Sequence, residues 1–158
     1  MIHDFNADEI FEMAEKMEKN GANFYRNAAQ TVNNDKNKKM LLTLAAMEVE
    51  HEKIFAEMRE ALTDIEKKAT VFDPVGESVV YLKALVDTKV FFEKEIDTRS
   101  IKEILKDALQ AEKDSIVFYL GMKEMVPEKL GRAHLEKIIK EEMDHIKVIS
   151  KELASISF

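Results

Sequence analysis

The sequence predicts an all-α protein: a four-helix bundle of two repeated helical hairpins, with a long, partly helical crossover between the second and third helices. Three observations predict it. Only four glycines and two prolines occur in 158 residues, so few positions interrupt a helix. Apolar residues recur at three- and four-residue steps through four long stretches. A pattern of ionisable residues in the first half, Glu18 followed by Glu48 and His51, returns in the second as Glu112, Glu142 and His145, each displaced by 94 positions.

The first helix starts at a capping box, Asn6 followed by Glu9, with Asp8 and Glu9 placed to favour the positive end of the helix dipole. Ile10, Ala14, Met17, Gly21, Tyr25, Ala28 and Ala29 form its apolar stripe, and Glu18 falls within that stripe. One such glutamate is ordinarily a flanking residue that reaches solvent. Asn33-Asn34-Asp35 is a polar break, after which a second helix runs from about Lys36 into the region of Asp64 to Lys68. Its apolar face carries Leu41, Leu44, Ala45, Phe55, Met58 and Leu62, with Glu48 and His51 one turn apart on the same side. From Glu18 the chain runs about 14 residues out and about 13 back, roughly 20 Å each way at 1.5 Å per residue. Glu48 and His51 therefore return opposite Glu18.

Asp73-Pro74 and Gly76 make the clear mid-chain break. Glu77 to Ile96 has enough apolar spacing for an extra helix that crosses or caps the bundle, although its Val, Phe and Thr content also suits strand. Ser100 and Glu103 repeat the capping box 94 positions after Asn6 and Glu9. The third helix presents Leu105, Ala108, Leu109, Glu112, Ile116, Tyr119 and Met122, and ends near Val126-Pro127. The fourth presents Leu135, Ile138, Ile139, Glu142, His145, Ile146, Ile149 and Leu153, and Phe158 leaves no room for a fifth long helix. Beyond the six ionisable residues, Phe24-Tyr25 pairs with Phe118-Tyr119 and Lys53 with Lys147. The whole chain, 1–158, is read as a single domain of two like hairpins packed about a pseudo-twofold axis.

Four carboxylates on apolar faces would repel one another and be costly to bury, so cations are expected among them. A carboxylate can chelate one ion or bridge two, and imidazole suits iron, manganese or zinc. A glutamate from each of two helices plus Glu-x-x-His from each of the other two is a known di-iron or di-manganese donor set in four-helix bundles. Glu18, Glu48, His51, Glu112, Glu142 and His145 are thus the metal-ligand candidates for two ions, with iron foremost and manganese or zinc left open. Tyr25 and Tyr119 each lie seven residues after a candidate glutamate. They are candidates for donors to the ligand carboxylates or for radical-accessible aromatics, beside the plain reading of core packing with a satisfied hydroxyl. His3 and His134 lie outside the repeat and read as surface or structural, and the methionines as core filler.

Composition excludes several functions. The net charge of −7, with no basic run, argues against nucleic acid. The absence of cysteine excludes disulfides, thiolate sites and iron–sulfur clusters within this chain, so any electrons must come from elsewhere, from an external donor protein if the chain is a reductase. With no apolar run of membrane length and no basic-then-apolar start, the sequence suggests a cytoplasmic protein without a membrane partner. A homodimer is the expected assembly.

These motifs resemble the ferritin-like di-iron carboxylate superfamily, and the stretch Glu18 to Tyr25 followed by Glu48-Val49-Glu50-His51 is similar to its rubrerythrin branch. The resemblance implies that Glu48 and Glu142 bridge the metals, that Glu18 and Glu112 are terminal carboxylates, and that His51 and His145 hold one ion each. Two departures stand out. Full rubrerythrins carry a cysteine-ligated rubredoxin-like domain, which this cysteine-free chain lacks. They also have a further glutamate one turn after the third-helix ligand, where Ser115 stands here; that glutamate is tied to their redox-linked ligand exchange. Three functions are compatible: an oxidoreductase acting on peroxide or dioxygen, a ferritin-type ferroxidase that handles iron, and a non-catalytic bundle braced by metal. A storage cage is disfavoured by the helical crossover and the missing fifth helix.

Overall fold

The computed structural model describes residues 7–63, 100–126 and 128–156, all helices and their connections, with no strand among them. Helix α1 spans Ala7–Thr31, α2 Asp35–Glu60, α3 Ile101–Met125 and α4 Arg132–Ile156. The capping residue Asn6 and the crossover segment Glu77–Ile96 lie outside the described residues.

Local chemistry sets the helix ends. Asn34 is extended at φ −81°, ψ 120°, and its side chain accepts from the Asn37 amide, 3.1 Å away, which starts α2 inside the predicted polar break. Ser100 does the same for α3, accepting from the Glu103 amide at 3.2 Å. At the far end of α3, Val126 is extended ahead of Pro127, as the sequence predicts. A single 3-10 turn, Glu128–Leu130, then leads to Gly131 at φ +107°, a conformation in which any side chain is strained, and α4 begins at the next residue.

The second helix is shorter than its periodicity suggests. It ends at Glu60 rather than continuing toward Lys68, because the Leu62 amide bonds back three residues to the Arg59 carbonyl and tightens the last turn. Leu62 nevertheless stays in the core, which explains why the apolar pattern runs past the helix. Arg59 grips Asp8 through two nitrogens, at 2.9 and 3.1 Å, and Glu15 at 3.1 Å, fixing the end of α2 to the start of α1.

The apolar core divides into two clusters, and the division gives the topology. One cluster takes Ala7 to Met17 of α1, Phe55 to Leu62 at the end of α2, Phe118 to Val126 of α3 and Leu135 to Ile139 of α4. The other takes Phe24 to Ala29, Leu41 to Ala45, Ile104 to Ala108 and Ile149. Hence α1 and α4 run one way and α2 and α3 the other. Since α2 ends at the first cluster and α3 starts at the second, the connection between them has the length of the bundle to cover, roughly 35–40 Å for helices of this size. That is the geometric reason for a crossover in place of a tight turn. Packing is closer within each hairpin than between them. No helix among the described residues is long and apolar enough to cross a membrane.

Candidate metal centre

Between the two apolar clusters, each helix turns ionisable residues inward. Glu18, Glu48, His51, Glu112, Glu142 and His145 are all at most 2% exposed. The structure brings all six sequence candidates to one place, and they fall into two overlapping groups. Glu18, Glu48, His51 and Glu142 each offer one donor atom within 4.8 Å of the others, and so do Glu48, Glu112, Glu142 and His145. Glu48 and Glu142 belong to both groups; every other member belongs to one.

Both histidines present Nδ1 to the carboxylates. His51 Nδ1 lies 3.5 Å from Glu18, 3.6 Å from Glu48 and 3.3 Å from Glu142. His145 Nδ1 lies 3.2 Å from Glu48, 3.4 Å from Glu112 and 2.9 Å from Glu142. The two rings face each other, with centroids 5.7 Å apart and planes inclined by 19°. Despite these distances neither Nδ1 has a well-directed hydrogen bond, nor do Glu48 Oε1, Glu112 Oε2 and Glu142 Oε2. Buried polar atoms left like this cost free energy. Nitrogen and carboxylate donors converging without hydrogen bonds between them are the arrangement that a pair of hard or borderline divalent cations would satisfy, so the donor set fits two metal ions.

The electrostatics of the protein alone show the same strain. Burial, reinforced by the neighbouring carboxylates, pushes Glu48 and Glu142 well above the usual carboxylate range. Burial opposes a charged imidazole at His145, but the close carboxylates of Glu112, Glu142 and Glu48 outweigh it and raise the ring to about 12. His51 is raised in the same way by Glu142, Glu18 and Glu48. Burial also works against the Glu18 carboxylate, yet Glu48, His51 and Tyr119 together hold it below its ordinary value. Without cations the cluster retains protons to balance its own charge.

Tyr25 and Tyr119 are fully buried and both hydroxyls act on the site. Tyr25 donates to Glu112 and Tyr119 to Glu18, each crossing to the other hairpin. Each tyrosine sits two turns, about 10 Å, beyond the glutamate on its own helix, too far for a bond to it, so the pairing is exchanged across the pseudo-twofold axis. Burial and the adjacent carboxylates raise both phenols, which keeps them protonated as donors. Phe118 and Phe55 pack on the Tyr119 ring and Phe24 on the Tyr25 ring.

Ser115 is buried at 2% exposure, and its hydroxyl bonds back to the Ala111 carbonyl at 3.0 Å, away from the carboxylates. His134 is exposed, as expected, while His3 lies outside the described residues. The residue that sequence reasoning missed is Glu141, whose Oε2 is 2.7 Å from His51 Nε2. Its signal was present in the doubled acid Glu141-Glu142, but position 47 in the first half is Met, so Glu141 has no repeat partner to mark it.

Two clefts between α2 and α4 reach the histidines from outside, on either side of Met47. One, about 410 Å³, is lined by His51, Glu141, Ile54 and Lys137; the other, about 350 Å³, by His145, Met40, Leu44 and Val148. Either is far larger than the roughly 30 Å³ that one water occupies in the liquid.

No curated protein matches the sequence. Among solved structures, a Thermotoga maritima protein described as ferritin-like and diiron-carboxylate superposes with a TM-score of 0.71 at 25% identity, covering 98% of each chain. The sequence model of the family named Rubrerythrin matches residues 9–153. A ferritin-like bundle, an inward-facing set of four glutamates and two histidines, and a match over nearly the whole chain lead to one assignment: the chain belongs to the rubrerythrin family.

Proposed function

We propose that this protein holds two iron ions at Glu18, Glu48, His51, Glu112, Glu142 and His145 and works as an oxidoreductase on peroxide or dioxygen, taking electrons from a separate donor protein. The observation that carries the reading is the overlap of two buried four-donor groups at Glu48 and Glu142. Sharing those two carboxylates suits them to hold a pair of ions side by side, with Glu18 and His51 completing one position and Glu112 and His145 the other. Two ferrous ions, when bound, supply two electrons for breaking an O–O bond.

The chain's own residues do the rest. Tyr25 and Tyr119 orient the terminal carboxylates Glu112 and Glu18, and each holds a proton beside the site. The apolar clusters above and below keep bulk water out, which strengthens every charge interaction inside. The clefts beside Met47 are wide enough for an oxidant of two oxygen atoms. The absence of cysteine is why the donor is placed on another protein.

Iron-loaded protein given a chemical reductant is expected to consume peroxide, and Glu48→Ala or Glu142→Ala to slow this by about tenfold or more, since each takes a carboxylate out of both four-donor groups. Equal consumption by wild type and variants would end this reading.

A further inference from the structure

The shift of 94 positions that pairs the six ligand candidates also pairs Glu141 with Met47. Around the site the two halves agree closely: Phe24 with Phe118, Tyr25 with Tyr119, Leu41 with Leu135, Leu44 with Ile138, each pair buried on both sides. Positions 47 and 141 break the agreement where it bears on the ligands themselves.

Each imidazole turns Nδ1 toward the converging donors, and once that nitrogen takes a cation the proton of the neutral ring resides on Nε2. For His51 that N–H is donated to the Glu141 carboxylate at 2.7 Å. An acidic acceptor behind the ring fixes its orientation and increases the electron density on the nitrogen that faces the cation. For His145, Nε2 is buried and has no hydrogen-bond partner among the described residues. The cleft that reaches His145 is walled by Met40, Leu44, Met47 and Val148, and among the described residues no acidic side chain bonds the ring where Glu141 does so for its twin. Asp144 also lines that cleft, but its carboxylate is engaged by Lys147 at 2.9 Å.

We infer that the two cation positions are unequal: the one completed by Glu18 and His51 is the tighter and fills first, whereas the one completed by Glu112 and His145 is the weaker, exchangeable position, and Glu141 is the positioning residue that makes the difference. The inference rests on the two-ion reading above. Removing an acceptor of this kind typically lowers metal affinity by about 10- to 100-fold, so a comparable separation is expected between the two positions.

Anaerobic calorimetric titration of metal-free protein with Co(II) tests it. Wild type is expected to bind two ions in two steps at least about tenfold apart. Glu141→Met, which copies the residue at position 47, should weaken the tighter step and merge it with the other. Met47→Glu, whose carboxylate can lie in the cleft behind His145, should instead strengthen the weaker step. Glu18→Ala should delete the tighter step and Glu112→Ala the weaker one, with circular dichroism confirming that each variant is helical. Two ions entering in one indistinguishable step, a Glu141→Met isotherm that matches wild type, or the reverse assignment of the alanine variants overturns the inference while leaving two-ion binding intact. Failure of wild type to bind two ions overturns the two-ion reading, and the inference with it.

Discussion

Tyr119 and Tyr25 do more than fill space, and the cost of removing a hydroxyl measures how much more. Tyr119→Phe keeps the ring against Phe55 and Phe118 but leaves a fully buried Glu18 oxygen without its donor. Metal-free Tyr119→Phe is expected to lose about 1–3 kcal/mol in urea denaturation, and Tyr25→Phe a similar amount through Glu112. A loss below about 0.5 kcal/mol, the range of neutral surface changes, would reduce the tyrosines to packing. The six inward residues were legible because charge on an apolar stripe, costly each time it occurs, is rarely an accident when it returns at one spacing. The exchanged tyrosine bonds were not legible, since spacing along one helix places Tyr25 near Glu18 in sequence while its partner lies on the opposite hairpin. Glu141 escaped for the opposite reason: it is the acid without a twin.

At the scale of the elements, the helix ends carry their own tests. Asn34→Ala removes the bond to the Asn37 amide and should cost about 1 kcal/mol. Asn33→Ala, one residue earlier and exposed, should change stability by less than about 0.5 kcal/mol; equal effects in thermal melts would show that the cap is not the source. Gly131→Ala forces a side chain into φ +107°, with its Cβ 2.9 Å from the Met58 terminal methyl. Met58 can swing aside, but the backbone cannot, so a loss of about 1–3 kcal/mol is expected from equilibrium unfolding. The helices, their inward faces and the ends at Ser100 and Val126 could be read from pattern and capping chemistry, and the start of α2 to within a residue from the polar break around Asn34. The early end of α2 could not, because Leu62 continues the apolar period after the backbone has left the helix, and no glycine or proline marks the change.

For the whole molecule, the protons held by the metal-free cluster make cation binding sensitive to pH. His145, raised to about 12, and His51, raised further, carry protons at neutral pH, and Glu48 and Glu142 are raised with them. A cation must displace those protons, so affinity should climb between about pH 6 and pH 8. Titration in buffers of different ionisation enthalpy should register proton release; a heat independent of buffer would contradict the cluster described here. Metal should also raise the melting temperature, and a chelator should reverse the gain. One consequence of the way the donors are divided has wider reach. The α1–α2 hairpin brings Glu18, Glu48 and His51 to its four-donor group and takes Glu142 from its neighbour; the α3–α4 hairpin brings Glu112, Glu142 and His145 and takes Glu48 in return. Ions held there would be a clasp fastened from both sides. Whatever pries α2 from α4 must weaken the hold on the ions, and by thermodynamic reciprocity losing the ions must loosen that seam by the same free energy.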